Sequence, residues 1–189
     1  MTPVAVRRLT VQDYHRIADA GIFNADERVE LLDGNLISMA AKGTAHSSAT
    51  TRTRRVLEDG LGRSVLVRVQ DPVQLDNYSE PEPDLAIVAL EPMEYADRHP
   101  KPSEIFLLIE IADTSLAFDC GSKALAYARS GIAEYWVLDV RDRKLHVFRS
   151  PADRGYQSEF VLAETMQIAP LAFSNCVLEI REMLPLVPD

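Results

Sequence analysis

Cysteine is scarce in this chain of 189 residues, and long apolar runs are missing as well. The two cysteines, Cys120 and Cys176, show no metal-ligand spacing, so they predict neither a disulfide framework nor a thiolate metal site. No apolar run is longer than a strand, which argues against a membrane span. The first residues contain no hydrophobic signal core, so we expect a cytoplasmic protein.

Basic residues are outnumbered by acidic residues, 20 to 29, which leaves a formal net charge of −9. Because phosphate contacts supply most non-specific affinity for nucleic acid, this balance argues against strong non-specific binding. Basic residues nevertheless cluster on one predicted helix and one predicted hairpin, namely Arg52, Arg54 and Arg55, and Arg141, Arg143 and Lys144. Acidic residues at a metal site would also add to the negative count, so a nucleic-acid substrate is not excluded.

The length and the ordinary composition predict a single domain over residues 1–189. Helices are predicted over residues 10–20, 45–59 and about 120–130. Strands are predicted over residues 28–33, 35–40, 64–69, 71–76, 84–89, 105–111, 135–139, 145–148 and 156–163. Gly60 is expected to end the second helix, and Asp119 to cap the third. The order of elements predicts an α/β fold with a sheet of mixed direction.

Glu110 stands out because it lies in a strand, residues 105–111, that is otherwise apolar. The strand is predicted to be buried on both faces, with Glu110 on the face of Phe106 and Leu108. A carboxylate there is unfavourable unless a metal, a cation or hydrogen bonds compensate its charge. This residue is therefore the first candidate for a functional role.

Asp84 and Lys123 are the next candidates because of where they stand relative to Glu110. Asp84 opens a second apolar strand, and two acids at neighbouring strand ends would be relieved by Mg²⁺ or Mn²⁺, which prefer oxygen ligands. Lys123 is predicted in the first turn of a helix, from which its ammonium can reach back toward Glu110. Two acids and a lysine suit metal-dependent hydrolysis of a phosphodiester. The structural alternatives are a turn aspartate and a solvated lysine.

Other polar residues give weaker indications. Glu30 points away from its apolar neighbours, and its pattern alone favours the solvent face of an edge strand. His46, near the start of the 45–59 helix, can bind a phosphate, protonate a leaving group or cap the helix. Gln70 can bond a ligand or a loop backbone, and Tyr127 is expected to pack in the core.

Six ordered segments together resemble the Uma-two family of restriction endonuclease-like proteins, within the PD-(D/E)XK nuclease superfamily. They are residues 28–34, 46, 80–85, 109–115, 119–127 and 131–136. The resemblance covers about residues 9–185. It implies a restriction-endonuclease-like fold, with a mixed central β-sheet flanked by α-helices, and Mg²⁺-dependent hydrolysis of DNA phosphodiester bonds.

The resemblance also implies roles for individual residues. Asp84 and Glu110 match the two acids of the signature, whereas Ala112 occupies its lysine position and Lys123 is the implied substitute. Glu30 matches an acid that completes the metal site, and His46 matches a recurrent histidine. The implied products carry 5′-phosphates.

The leading hypothesis is thus an endonuclease in which Glu30, Asp84 and Glu110 bind Mg²⁺, or Mn²⁺ as a substitute, and Lys123 assists the attacking water. DNA is the expected substrate, and a homodimer is expected because cutting two strands calls for two sites. One alternative is a catalytically inactive nuclease-fold binding or regulatory module. Another is a hydrolase of RNA or of a small phosphodiester.

Overall fold

A computed structural model describes residues 6–24 and 26–187 of the chain. Its α-helices are α1 (Val11–Asp19), α2 (Thr44–Leu61), α3 (Leu116–Phe118), α4 (Ala124–Arg129) and α5 (Ile180–Met183). Its strands are β1 (Val29–Leu32), β2 (Asn35–Ser38), β3 (Leu66–Val69), β4 (Leu85–Val88), β5 (Ile105–Ala112), β6 (Glu134–Asp139), β7 (Lys144–Ala152), β8 (Gly155–Ala163), β9 (Gln167–Ile168) and β10 (Leu178–Glu179). Short 3₁₀ turns span Gly62–Ser64 and Pro102–Glu104, and a π-helical turn spans Asp119–Lys123.

Six strands form the central sheet, in the order β3-β4-β5-β6-β7-β8. All neighbours pair antiparallel except β5 and β6, which are parallel and are joined through α3, the π-turn and α4. A parallel pair needs such a crossover, and here the crossover carries Lys123. The predicted α/β fold with a mixed sheet is confirmed.

Apolar side chains cover both faces of this sheet. One cluster includes Trp136 and Leu57 and joins the sheet to α2 and α5. The other includes Tyr127 and Tyr135 and joins the sheet to α4. The middle strands are therefore buried on both sides, as the apolar run of β5 predicted.

The hairpin of β1 and β2 stands apart from the central sheet. The two strands pair antiparallel around Asp33 and Gly34, both of which have positive φ, as the Asp-Gly pair predicted. Leu31 also forms an isolated antiparallel bridge with Glu80, so β1 lies against the segment that leads into β4. This contact brings the hairpin to the edge of the sheet where β4 begins.

Two local predictions are wrong. Gly60 does not end α2, which continues to Leu61 and is capped by Gly62. A Cβ at Gly60 would lie 2.6 Å from the sulfur of Cys176, so this glycine permits close packing. Residues 71–76 form no strand, because their backbone N–H groups bond separate loop carbonyls rather than one neighbouring strand: Val73 donates to Pro81 at 3.0 Å and Gln74 to Pro100 at 2.9 Å.

Candidate active site

Glu110 lies near the end of β5, on the same face as Leu108 and Ala112, with 5% of its side chain exposed. The register pairs Leu85 of β4 with Ile109, which sets Asp84 beside Glu110. The backbone N–H of Asp84 donates to Glu110 Oε2 over 3.4 Å. The predicted pairing of these two strands is confirmed, and it brings the two acids together.

Asp84 is held by groups from four parts of the chain. Its Oδ2 accepts the backbone N–H of Ile111 at 2.9 Å, and its Oδ1 lies 2.9 Å from His46 Nε2. Gln70 Nε2 donates to Oδ1 at 3.3 Å, and Lys42 Nζ lies 3.7 Å away. Burial by itself would raise the pKa of Asp84, but His46, the Ile111 amide and Lys42 lower it below its ordinary value. Asp84 is therefore a charged carboxylate at neutral pH.

Lys123 stands between two buried carboxylates. Its Nζ lies 2.8 Å from Glu110 Oε1 and 3.1 Å from Glu30 Oε1, with 5% of its side chain exposed. Burial alone would lower the pKa of Lys123, but Glu110 and Glu30 raise it well above its ordinary value. The predicted contact of Lys123 with Glu110 is confirmed, but Lys123 does not lie in the first turn of the helical segment, which begins at Leu116.

The backbone around Lys123 differs from the sequence prediction. The helical segment begins at Leu116, with Ser115 as its N-cap, so Asp119 is not a cap but an interior residue. Asp119 accepts a hydrogen bond from the Ser115 hydroxyl, and burial raises its pKa. The π-turn adds a residue to the helical winding, a feature that is frequent at functional sites, and Lys123 is its last residue.

Glu30 is buried, although its pattern predicted the solvent face. Its side chain is 2% exposed and lies between Lys123 of the π-turn and the backbone of Glu82. The Oε2 atom accepts the backbone N–H of Glu82 at 3.0 Å, while Oε1 faces Lys123. Both oxygens of Glu30 thus have partners within the protein.

The charge on Glu110 is only partly compensated by its surroundings. Burial raises its pKa to about 8, and Asp84 adds to this, although Lys123 acts in the opposite direction. Tyr127 donates its hydroxyl to Glu110 Oε1 at 3.0 Å. Among the described residues, the Oε2 atom accepts one long hydrogen bond, from the Asp84 N–H. This oxygen is therefore the one best placed to take a further cationic partner.

All five residues singled out from the sequence thus meet in one network: Glu30, His46, Asp84, Glu110 and Lys123. Two further residues belong to the network: the sequence analysis assigned Tyr127 to core packing and did not single out Lys42. Tyr127, expected only to pack, also bonds Glu110; its position one helical turn after Lys123 was the available signal. Lys42, in the loop before α2, had no sequence signal.

The site offers oxygen ligands that suit a metal ion, but its side chains do not form a ready-made set of three ligands. Within residues 6–24 and 26–187, no three His, Cys, Asp or Glu side chains are arranged to hold one. Asp84 and Glu110 nevertheless offer two adjacent carboxylates, and Mg²⁺ is usually bound through one or two carboxylates, with waters and substrate phosphates completing its shell. The incompletely compensated charge at Glu110 fits such an ion.

Comparisons with known proteins bear on the family and the fold. A sequence model of the Uma2 family, described as "Putative restriction endonuclease", matches residues 11–181. A crystal structure from Anabaena variabilis ATCC 29413, of a "putative nuclease belonging to DUF820", matches with a TM-score of 0.72 and 15% sequence identity, covering 93% of this chain and 97% of that chain. At that identity the likeness shows the fold. No curated protein has a significant sequence match.

Proposed function

The chain belongs to the Uma2 family, and from this membership and the site geometry we propose that it is a metal-dependent endonuclease that hydrolyses DNA phosphodiester bonds. The family points to nuclease activity. Mg²⁺ as the metal, with Mn²⁺ as a substitute, DNA as the substrate and the individual residue roles are part of the proposal. The resemblance noted in the sequence to a PD-(D/E)XK site with a displaced lysine supports it.

One observation carries the proposal: the buried Glu110 carboxylate lies between the Asp84 backbone and the Lys123 ammonium, at 3.4 and 2.8 Å. A buried ion pair seldom contributes more to stability than well-packed apolar residues of the same volume. Stability therefore poorly explains why three acids and a lysine are gathered where β4 begins and β5 ends. They suit a site that binds a cation and hydrolyses a phosphodiester.

The proposed metal ligands are Asp84 and Glu110, with Glu30 as a third acid behind them. A bound Mg²⁺ would polarise the scissile phosphate and lower the pKa of a water nucleophile. Asp84 is fixed for this purpose by the Ile111 amide and by His46, so its carboxylate needs little reorganisation. Glu30 is held by the Glu82 amide and acts through Lys123.

Lys123 and His46 have supporting roles in this proposal. Lys123 neutralises part of the charge that Glu110 and Glu30 bring into the core, and it adds positive potential where negative charge develops on the phosphate. His46 orients Asp84 and, with 11% of its side chain exposed, lies at the margin of the site.

A homodimer is proposed because duplex cleavage calls for two sites.

The test is a cleavage assay on supercoiled plasmid and single-stranded DNA with Mg²⁺, Mn²⁺ or EDTA. The wild-type protein is compared with Glu110→Ala and with Glu159→Ala, which removes an exposed acid on β8. We expect metal-dependent nicking by the wild type and by Glu159→Ala. Glu110→Ala should have no activity, and EDTA should abolish activity in every case.

The outcomes separate this proposal from its alternatives. Mn²⁺ binding without cleavage of DNA would point to RNA or a small phosphodiester as the substrate. Neither cleavage nor Mn²⁺ binding would support a catalytically inactive binding or regulatory module. The observation that favours this second candidate is that Lys123 already offsets part of the charge of Glu30 and Glu110 within the protein.

A further inference from the structure

Lys42 places a second ammonium group at the site. It lies in the loop between β2 and α2, and its Nζ is 3.7 Å from Asp84 Oδ1, too far for a hydrogen bond. Within residues 6–24 and 26–187, this buried nitrogen has no hydrogen-bond acceptor. An ammonium has three donors, and a buried group that uses none of them needs an explanation.

Lys123 differs from Lys42 in the partners of its ammonium. Its Nζ contacts Glu110 and Glu30 at 2.8 and 3.1 Å. Withdrawing it toward a substrate would leave two buried carboxylates facing each other without a cation, which is strongly unfavourable. Lys123 is thus committed to the protein, whereas Lys42 has its donors available.

The position of Lys42 also suits contact with a substrate. Its side chain is 18% exposed, against 5% for Lys123, although its Nζ is buried, so Lys42 lies nearer the margin of the site than Lys123 does. The same Asp84 oxygen already has His46 and Gln70 as partners, so it does not require Lys42 as well. A phosphate group placed against Asp84 and Glu110 would come within reach of the Lys42 ammonium.

We propose that Lys42 donates hydrogen bonds to a non-bridging oxygen of the target phosphodiester, and that Lys123 does not contact the substrate. This inference rests on the proposed nuclease function and assigns its phosphate-binding residue. Lys42 holds the phosphate in place and offsets its negative charge. Lys123 maintains the charge balance of the acids below.

The test measures binding rather than turnover. Affinity for a fluorescein-labelled DNA duplex is measured by anisotropy in Ca²⁺, over a series of NaCl concentrations, for wild type, Lys42→Met, Lys42→Arg and Lys101→Met. Methionine keeps the aliphatic stem of lysine without its charge. Lys101 is the matched control, since it is exposed and precedes the opposite end of β5.

We expect Lys42→Met to bind DNA about tenfold more weakly than wild type. Its plot of log affinity against log salt should be shallower by about 0.9, the loss of one phosphate contact. Lys42→Arg should restore the slope, and Lys101→Met should match wild type. Mn²⁺ affinity should not fall in Lys42→Met, because a positive charge next to Asp84 has been removed.

Two results would overturn the assignment. The first is a folded Lys42→Met with the slope and affinity of wild type. The second is a change in melting temperature or Mn²⁺ affinity with an unchanged slope, since this would make Lys42 a structural counter-ion of Asp84. Should the methionine variant not fold, Lys42→Gln is measured in its place. A wild-type protein that neither binds nor cleaves DNA would instead contradict the nuclease proposal itself.

Discussion

Glu110 keeps a carboxylate inside a strand whose other residues are apolar, and its neighbours explain how the fold tolerates it. Lys123 and Tyr127 both contact Oε1, at 2.8 and 3.0 Å. A carboxylate in the interior costs several kcal/mol even after relaxation, roughly what one good ion pair returns. Its net contribution to stability is therefore small, and its removal should affect chemistry more than folding.

Replacement of Glu110 by alanine should abolish binding of divalent metal while the fold survives. The fold is retained because Lys123 still has Glu30 as its partner, 3.1 Å away. Calorimetric titration with Mn²⁺, together with circular dichroism, measures both properties. Unchanged Mn²⁺ affinity in a folded variant would remove Glu110 from the metal site, and Glu159→Ala again provides the control.

Replacement of Lys123 by methionine, unlike Glu110→Ala, should reduce the stability of the fold. It leaves Glu30 and Glu110 buried without their cation, which should lower the free energy of unfolding by about 3–5 kcal/mol. Urea denaturation measures this loss. The added Glu110→Gln substitution should recover part of the stability, since one of the two uncompensated charges is removed.

The same Lys123 variant, where it remains folded, should bind Mn²⁺ but have lost turnover. The reason is that its ammonium supplies positive potential at the phosphate without being a metal ligand. A fully active Lys123→Met protein would exclude the residue from the mechanism. Stability equal to wild type would contradict the argument from the buried ion pair.

Two elements determine where these residues meet. The π-turn at Asp119–Lys123 sets Lys123 facing Glu110, and the β1–β2 hairpin brings Glu30 to the same ammonium. The hairpin depends on Gly34, where φ is +76° and a Cβ would lie 2.6 Å from the Cβ of Arg8. Displacement of the hairpin should therefore disturb Glu30.

Gly34→Ala should reduce stability more than Gly21→Ala, its matched control. Both glycines have positive φ, +76° and +66°, so both substitutions carry a similar backbone penalty of about 1–2 kcal/mol. Among the residues that the structure describes, only Gly34 of this pair has a neighbour in the way of the added Cβ, because none of their atoms lies within 4 Å of that position at Gly21. Urea denaturation of the two variants measures the difference, and equal losses would refute the clash.

At the scale of the whole molecule, an acidic balance is combined with basic clusters of which several members form ion pairs. Arg54 contacts Glu58 at 2.8 Å, and Arg141 contacts Asp113 at 2.8 Å. Exposed pairs of this kind contribute about 0–1 kcal/mol, so phosphates can replace the carboxylates at little cost. The clusters remain candidate DNA contacts despite the net charge of −9. No helix in the described part of the chain is long and apolar enough to cross a membrane.

Metal binding to the native protein should raise its thermal stability. At a metal concentration of 100 times Kd, a ligand that binds only the folded state contributes about 2.7 kcal/mol. For a chain of this size this corresponds to a rise in Tm of about 5–11 °C. Scanning calorimetry with Mn²⁺ measures the rise, which EDTA should reverse and Glu110→Ala should not show. An equal rise in Glu110→Ala would place the metal elsewhere.

Much of this arrangement is local and could be predicted from the chain. The apolar run around Glu110 indicated a buried strand, and the Asp-Gly pair indicated a hairpin, because strand burial and tight turns depend on neighbouring residues. Asp84 and Glu110 were expected to converge if their strands paired. The register of β4 and β5 confirms this.

Other features depend on contacts between distant parts of the chain, and local patterns do not contain them. Glu30 alternates like a solvent-facing residue, yet it is buried beside Lys123 of the π-turn and the backbone of Glu82. Gly60 has the sequence appearance of a helix end, yet it lies inside α2, at a position where a Cβ would lie 2.6 Å from the Cys176 sulfur. Lys42 has no local signature at all, since its position beside Asp84 arises from a loop.

The sequence by itself determined most of the helices and strands and the polar residues that interrupt their apolar patterns. It could do so because strand alternation and helical spacing are short-range properties. Only the tertiary structure decided that Lys123 is shared by Glu30 and Glu110, and that Lys42 has no hydrogen-bond acceptor in the part of the chain that the structure describes. Partnership between charges depends on distances of a few ångströms across separate elements. Residue spacing along a chain does not specify those distances.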